Sequence, residues 1–280
     1  MRLRLRRRAV RAALAGLMAP AAFTVMIGSA AAAGPIRVTT SFDRGATLGA
    51  ATAIHVAVQA DPHLGDKPLN EVSFAYPRGL GVVSSGLGLA TCTRPPIDFV
   101  RVLITAPGLG GCSPNSVMAI GDARALVKLV NGGQVIPEYA AVTLLSGPLE
   151  RGRLGVVVYV DGQHPFGGKL AFTGEIRDVR APYGGELTVR MPAIPGIEEL
   201  ATLYLVDMHL TIGAHAIRYY ERRGGRSVAY HPEGVLLPNR CPRRGFRFRV
   251  RVGFVDGTST SATSRTPCPP PPVATPSSGR

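Results

Sequence analysis

The chain contains no Trp, and aromatic residues fill only 6% of its 280 positions. Its core must therefore rest on Val, Leu, Ile and Ala, with a few Phe and Tyr. Lys is nearly missing. It occurs at Lys67, Lys128 and Lys169, which leaves 29 Arg among the 32 basic residues. There is no C-x-x-C, no H-E-x-x-H and no EF-hand loop, so the usual sequence grounds for a zinc or calcium site are absent. G-x-S-x-G is absent too, along with the strand–turn–helix that would present a hydrolase serine. Gly79-x-Gly81 and Gly86-x-Gly88 lack the remaining glycine and the helix of a phosphate cradle and read as turns. Apart from the N-terminal apolar stretch, no segment carries a convincing helical period; Ile197–Ala201 fits one short turn. No catalytic residue, metal site or cofactor is expected.

What the chain does contain is turns and short apolar runs. With 34 Gly, 24 Pro and 45% hydrophobic residues, it can bury a core and must reverse direction often. Ile54, Val56 and Val58 alternate with polar or small residues, as do Val72, Phe74 and Tyr76. The same two-residue period recurs at Leu170, Phe172 and Ile176, at Leu187, Val189 and Met191, and from Tyr204 to Ile212. Leu126–Val130 and Ala140–Leu145 are apolar runs of strand length, with a Gly132-Gly133 turn between them. Leu154–Val160 is continuously apolar, the pattern of a strand covered on both faces. Phe246, Phe248, Val250, Val252 and Phe254 alternate with Arg247, Arg249 and Arg251. Asp256-Gly257 then supplies a hairpin turn into a Ser/Thr-rich return strand.

The expected fold class is all-β: one or two antiparallel β-sandwich-like domains after a cleaved signal peptide. Pro148 to Gly152 suggests a boundary, giving an N-terminal β-domain (34–148), a C-terminal one (149–268) and a Pro/Ser-rich tail (269–280). A single larger sandwich is the alternative. The leader is read from residues 1–33: a basic start, an apolar stretch from Ala12 to Gly28, and small residues ending in Ala31 and Ala33. This order predicts export to the envelope or the medium, and Arg6-Arg7-Arg8 leaves the Sec and twin-Arg routes both open. Six of the net +14 charges lie in that leader, so its removal would leave +8.

Four cysteines in an exported chain predict two disulfides. Sequence alone permits three pairings. Local pairs, Cys92–Cys112 and Cys241–Cys268, suit the placement: the first brackets a Pro/Gly-rich loop, the second the Asp256-Gly257 hairpin.

Several stretches are distinctive: Tyr76-Pro77-Arg78-Gly79-Leu80 running to Cys92, Gly111-Cys112-Ser113-Pro114-Asn115-Ser116, Cys241-Pro242-Arg243-Arg244-Gly245-Phe246, and Cys268-Pro269. With these the chain resembles uncharacterised exported proteins of high-GC actinobacteria. The resemblance spans most of the mature chain and implies compartment and architecture only, since no activity attaches to it.

The strongest functional signal is arginine on one side of a strand. Arg247, Arg249 and Arg251 share a face, Arg243 and Arg244 precede them, and Arg218, Arg222, Arg223 and Arg226 form a second group. Guanidinium forks suit phosphate and carboxylate groups. The expected partner is an anionic envelope polymer or lipid, without specific nucleic-acid recognition. Asp207 and His209 share another strand face, and Glu175, Asp178 and Glu186 cluster near a turn. These are the scattered grounds for an alternative, an exported hydrolase whose site would gather such residues in a deep pocket.

Overall fold

The structure, a computed structural model, describes residues 35–61, 67–82, 85–93, 109, 111–129, 133–165, 168–191 and 201–271. The expected leader (1–33), the Ile197–Ala201 turn apart from Ala201, and the tail beyond 271 lie outside the described residues.

In chain order the strands are β1 (Ile36–Phe42), β2 (Ala51–Thr52), β3 (Ile54–Ala60), β4 (Leu69–Pro77), β5 (Val117–Leu129), β6 (Val135–Glu150), β7 (Arg153–His164) and β8 (Lys169–Asp178). There follow β9 (Tyr183–Arg190), β10 (Ala201–Ile212), β11 (Tyr219–Arg223), β12 (Arg226–Tyr230), β13 (Val235–Leu236), β14 (Phe246–Phe254) and β15 (Ser259–Thr266). Among the described residues the only helical element is one 3-10 turn, Pro114–Ser116. Eleven strands form one sheet in the order β1-β3-β10-β5-β6-β7-β8-β9-β4-β14-β15.

Each neighbouring pair in that sheet is antiparallel, so the first and eleventh strands point the same way. The sheet curls until those two edges meet, nearly closing a barrel-like sandwich. Side-chain hydroxyls bridge the seam. The Thr40 amide donates to Ser264 Oγ (3.1 Å), Thr40 Oγ1 to Ser264 Oγ (3.0 Å), and Thr266 Oγ1 to the Thr40 carbonyl (2.9 Å). The Ser/Thr composition of β15 thus has a structural use: hydroxyls satisfy edge groups that would otherwise recruit another strand.

The two-residue period decides what fills the interior. On β14, Phe246, Phe248, Val250, Val252 and Phe254 are at most 3% exposed, and the arginines between them point outward. Phe246 packs edge-on against Phe42 with centroids 5.1 Å apart, and Phe248 stacks on Phe74 at 5.7 Å. With an apolar interior and Arg, Asp and His outside, the polarity is the reverse of a barrel that faces lipid. Gly185 lies opposite Tyr76, whose ring occupies the space a Cβ would need, so this aromatic can cross the sheet only above a glycine.

The continuous run in β7 is covered on both faces, as its composition implied. Val156 and Val158 join the interior, while Val157 and Tyr159 pack outward into a second apolar cluster with Ala214, Ile217 and Tyr219. Tyr219 pins this outer layer. Its hydroxyl donates to the Val117 carbonyl (2.5 Å) and accepts from the Gly88 amide (2.7 Å). Burial pushes the Tyr219 phenol up in pKa, which keeps it protonated as a donor.

The boundary read at 148/149 is corrected by the sheet. The described residues form one compact unit, and position 148 falls within β6. β3 pairs with β10, and β4 with both β9 and β14, so the two halves interleave. The residues that suggested a linker make a hairpin. Pro148 sits where the β6–β7 register slips, and Arg151-Gly152 (φ 49° and 76°) turns between Glu150 and Arg153. Positive φ at both central residues matches the two-residue turn whose twist suits paired strands.

Candidate functional site

Both disulfides have the local pairing: Cys92–Cys112 with Cα atoms 5.2 Å apart, and Cys241–Cys268 at 5.9 Å. Two closed bridges are consistent with an oxidising compartment. The first lies in the outer cluster beside Tyr219, and the second staples the segments that lead into β14 and out of β15. Between them the expected Asp256-Gly257 turn is present, with Gly257 at φ 79°. Asp256 accepts from Lys67 Nζ (2.8 Å) and the Thr258 amide (2.9 Å), and these bonds lower its carboxyl to about 2.

The arginine face is the outer side of β14 and β15. Arg247 and Arg251 are exposed, and Arg265 on β15 stands directly opposite Arg247. Arg37 on β1, across the seam, is exposed as well. Arg243 and Arg244 occupy the turn before β14, also exposed, with Arg244 and Gly245 at φ 69° and 83°. Among the described residues no ion pair reaches Arg243, Arg244, Arg247, Arg251 or Arg265. Arg249 differs from its neighbours. It donates to Glu186 Oε1 (3.1 Å), and its guanidinium lies 4.9 Å from the Tyr183 ring centroid. Arg177 takes the other oxygen of Glu186 at 3.2 Å. Glu186 is only 7% exposed, so Arg249 serves a half-buried ion network, not an open surface. The acidic group read near residue 180 is dispersed likewise, because Glu175 pairs with Arg153 at 3.1 Å.

A second region lies on the outer side of β3, β10, β5, β6 and β7. It is an open groove of about 590 Å³. Register explains its walls. Gln59, Asp207, Arg124 and Tyr139 form one row across four strands, and His209, Asp122 and Ala141 form the next. Arg124 donates to Asp207 Oδ2 from Nε (2.9 Å) and Nη2 (2.5 Å). The hydrogen bond and charge of Asp207 raise the pKa of Arg124 further. His209 Nδ1 meets Asp122 Oδ2 at 3.2 Å. The groove unites Asp207 and His209, the pair that strand alternation placed on one face. Their partners Asp122, Arg124 and Tyr139 were missed. Asp122 and Arg124 stand two apart, which signals a shared face, but only cross-strand register shows what that face meets.

A third polar group ties the end of β10 to β3. Asp43 accepts from the Ala53 amide (3.0 Å) and contacts His55 Nε2 (2.8 Å) and His215 Nε2 (3.0 Å), while His55 Nδ1 meets Thr211 Oγ1 at 3.1 Å. Partial burial alone would raise the Asp43 carboxyl, but the Ala53 amide and the two imidazoles outweigh it and hold the pKa below its ordinary value. Among the described residues no three His, Cys, Asp or Glu are arranged to hold a metal, and no helix is long and apolar enough to cross a membrane. Comparison with protein-family models, with curated proteins and with solved structures finds no match for this chain.

Proposed function

We propose that the protein is an exported, non-enzymatic envelope component that holds an anionic polymer against its arginine face. The observation that carries this is the Arg247–Arg265 pair. Like charges directly opposite on neighbouring strands destabilise a sheet, and among the described residues no carboxylate pairs with either arginine. A surface shaped for folding alone would gain by replacing either arginine. Phosphate or carboxylate groups spaced along a polymer would neutralise the row formed by Arg247, Arg251 and Arg265, with Arg243 and Arg244 extending it. Export is supported by the leader-like N-terminus together with the two bridges, which suit an oxidising compartment.

The test is retention of the mature protein on a phosphate-bearing cell-wall polymer, on phosphatidylglycerol vesicles and on duplex DNA, from low to high salt. The expected result is strongest retention on the wall polymer, falling steeply with salt as counterions compete. An Arg247→Ser/Arg251→Ser/Arg265→Ser variant should lose most of it. No retention at low salt, or an unchanged triple variant, would overturn the reading. The catalytic alternative is weaker. Asp207 and His209 do share the groove, yet that groove is open, and each is bound to an oppositely charged or hydrogen-bonding neighbour.

A further inference from the structure

We infer that the groove over β3, β10, β5, β6 and β7 is a binding site for a neutral saccharide. Four features point to this ligand class. The first is space. About 590 Å³ lies within the range of small-molecule sites, ~300–1,000 Å³. Its floor is the backbone at Ala123 and Ala140, whose side chains belong to the interior-facing row of Met208, and Ala141, in the outward row with His209 and Asp122, leaves space that a larger side chain would fill.

The second feature is charge. Arg124 is matched by Asp207, and His209 is joined to Asp122, so the groove offers no unpaired guanidinium to an anion. This is the opposite of the arginine face, and it favours a ligand that is polar without being charged. The third is the character of the polar groups. Gln59 and Gln163 end in planar amide forks of donors and acceptors, each able to span two adjacent hydroxyls of a sugar ring, and Asp122 adds its second oxygen, Oδ1, beyond the one that meets His209.

The fourth feature is Tyr139. Its side chain stands in the row beside Arg124 and is 49% exposed, although the residue lies mid-sheet on β6. A half-exposed aromatic beside a polar groove gives the C–H face of a pyranose an apolar surface, while its hydroxyl bonds Arg124. A peptide fits less well. Extended peptides add to a sheet edge, but this groove lies over the second to sixth strands of eleven, and the two edges already meet each other.

The absence of Trp makes the test simple, because the eight Tyr alone report fluorescence. The mature protein would be titrated with neutral oligosaccharides: cellotetraose, maltotetraose, mannotetraose, an arabinofuranose oligomer and chitotetraose. Calorimetry would run in parallel, with tetragalacturonic acid as the charged control. At least one neutral oligosaccharide should bind at millimolar concentration and more tightly than the charged one. Tyr139→Ala should weaken binding by about tenfold or more. Ala141→Met, which fills the floor and keeps the Tyr139 ring in place of removing it, should abolish it. Both variants should keep the parent's thermal midpoint within a few degrees, since both sites are at the surface. The Arg247/Arg251/Arg265 variant should bind sugar normally, so loss of polymer retention and loss of sugar binding are separable. No binding by any neutral oligosaccharide, or binding that survives both groove variants, would overturn the inference.

Discussion

Two regions on the outer side of this sheet use the same backbone to opposite ends. On β14 and β15, Arg247 and Arg265 stand opposite one another with no carboxylate paired to either among the described residues, while Arg249 is withdrawn into a network with Glu186 and Arg177. On β10 and β5, Arg124 meets Asp207 and His209 meets Asp122 across the ladder. The first arrangement leaves a field that a partner must neutralise, and the second leaves a quiet, hydrogen-bonding hollow. Cross-strand register makes this difference, not residue content.

The largest perturbation should abolish the contrast altogether. Phe248 is fully buried beneath the arginine strand and stacks on Phe74, so Phe248→Ala should cost about 3–5 kcal/mol. Chemical denaturation would show it, and both faces should fail together because they share one interior.

Removing one staple should separate the faces. Cys241→Ser with Cys268→Ser opens the loop that holds β14 and β15, at about 2–4 kcal/mol of stability. Polymer retention should fall, while sugar binding over β10 and β5 persists at temperatures below the lowered midpoint. Equal loss of both would mean that the β14–β15 hairpin supports the whole barrel.

A finer test changes one carboxylate. Glu186→Gln leaves Arg249 and Arg177 without their shared charge; allowing for the partial exposure of both arginines, the cost should be about 1–2 kcal/mol. Its second effect has the opposite sign for function. Arg249 joins the unpaired row, so polymer retention should persist to higher salt than in the parent. Reduced retention would show that Arg249 positions the face instead of diluting it.

The smallest effect concerns acid. The folded pKa of Asp43 lies below its unfolded value, so its contribution is fully present above that unfolded value. It is lost as pH falls through the folded one. Thermal midpoints of the parent should therefore fall slightly more between pH 5 and strongly acid solution than those of Asp43→Asn. The arginine face stays charged across this range, so polymer retention corrected for the folded fraction should follow only the titration of the polymer.

Much of this architecture is legible in the chain. Alternation marks β3, β4, β8, β9, β10 and β14 because a strand's two faces meet different solvents, and burial sorts residues by that rule. The β7 run is uninterrupted because both of its faces are covered, which composition alone can signal. Turn chemistry announces the β14–β15 hairpin and makes Cys241 a natural partner for Cys268. The same cues mislead at Pro148 to Gly152, where a bulge and a tight hairpin have the composition of a linker.

The sequence by itself determined the class of fold and the outward direction of the arginines, because each depends on spacing along a few neighbouring residues; it favoured the local disulfides while leaving three pairings open. Only the tertiary structure decided that β3 lies beside β10 and β4 beside β14, since those pairings close loops of well over a hundred residues and no local pattern encodes them. From those pairings follow the single barrel-like sheet, the hydroxyl seam at Thr40, the capture of Arg249 by Glu186, and the groove whose walls come from five strands. Charge at a position can be read from a chain; whether that charge is answered depends on which strand folds beside it.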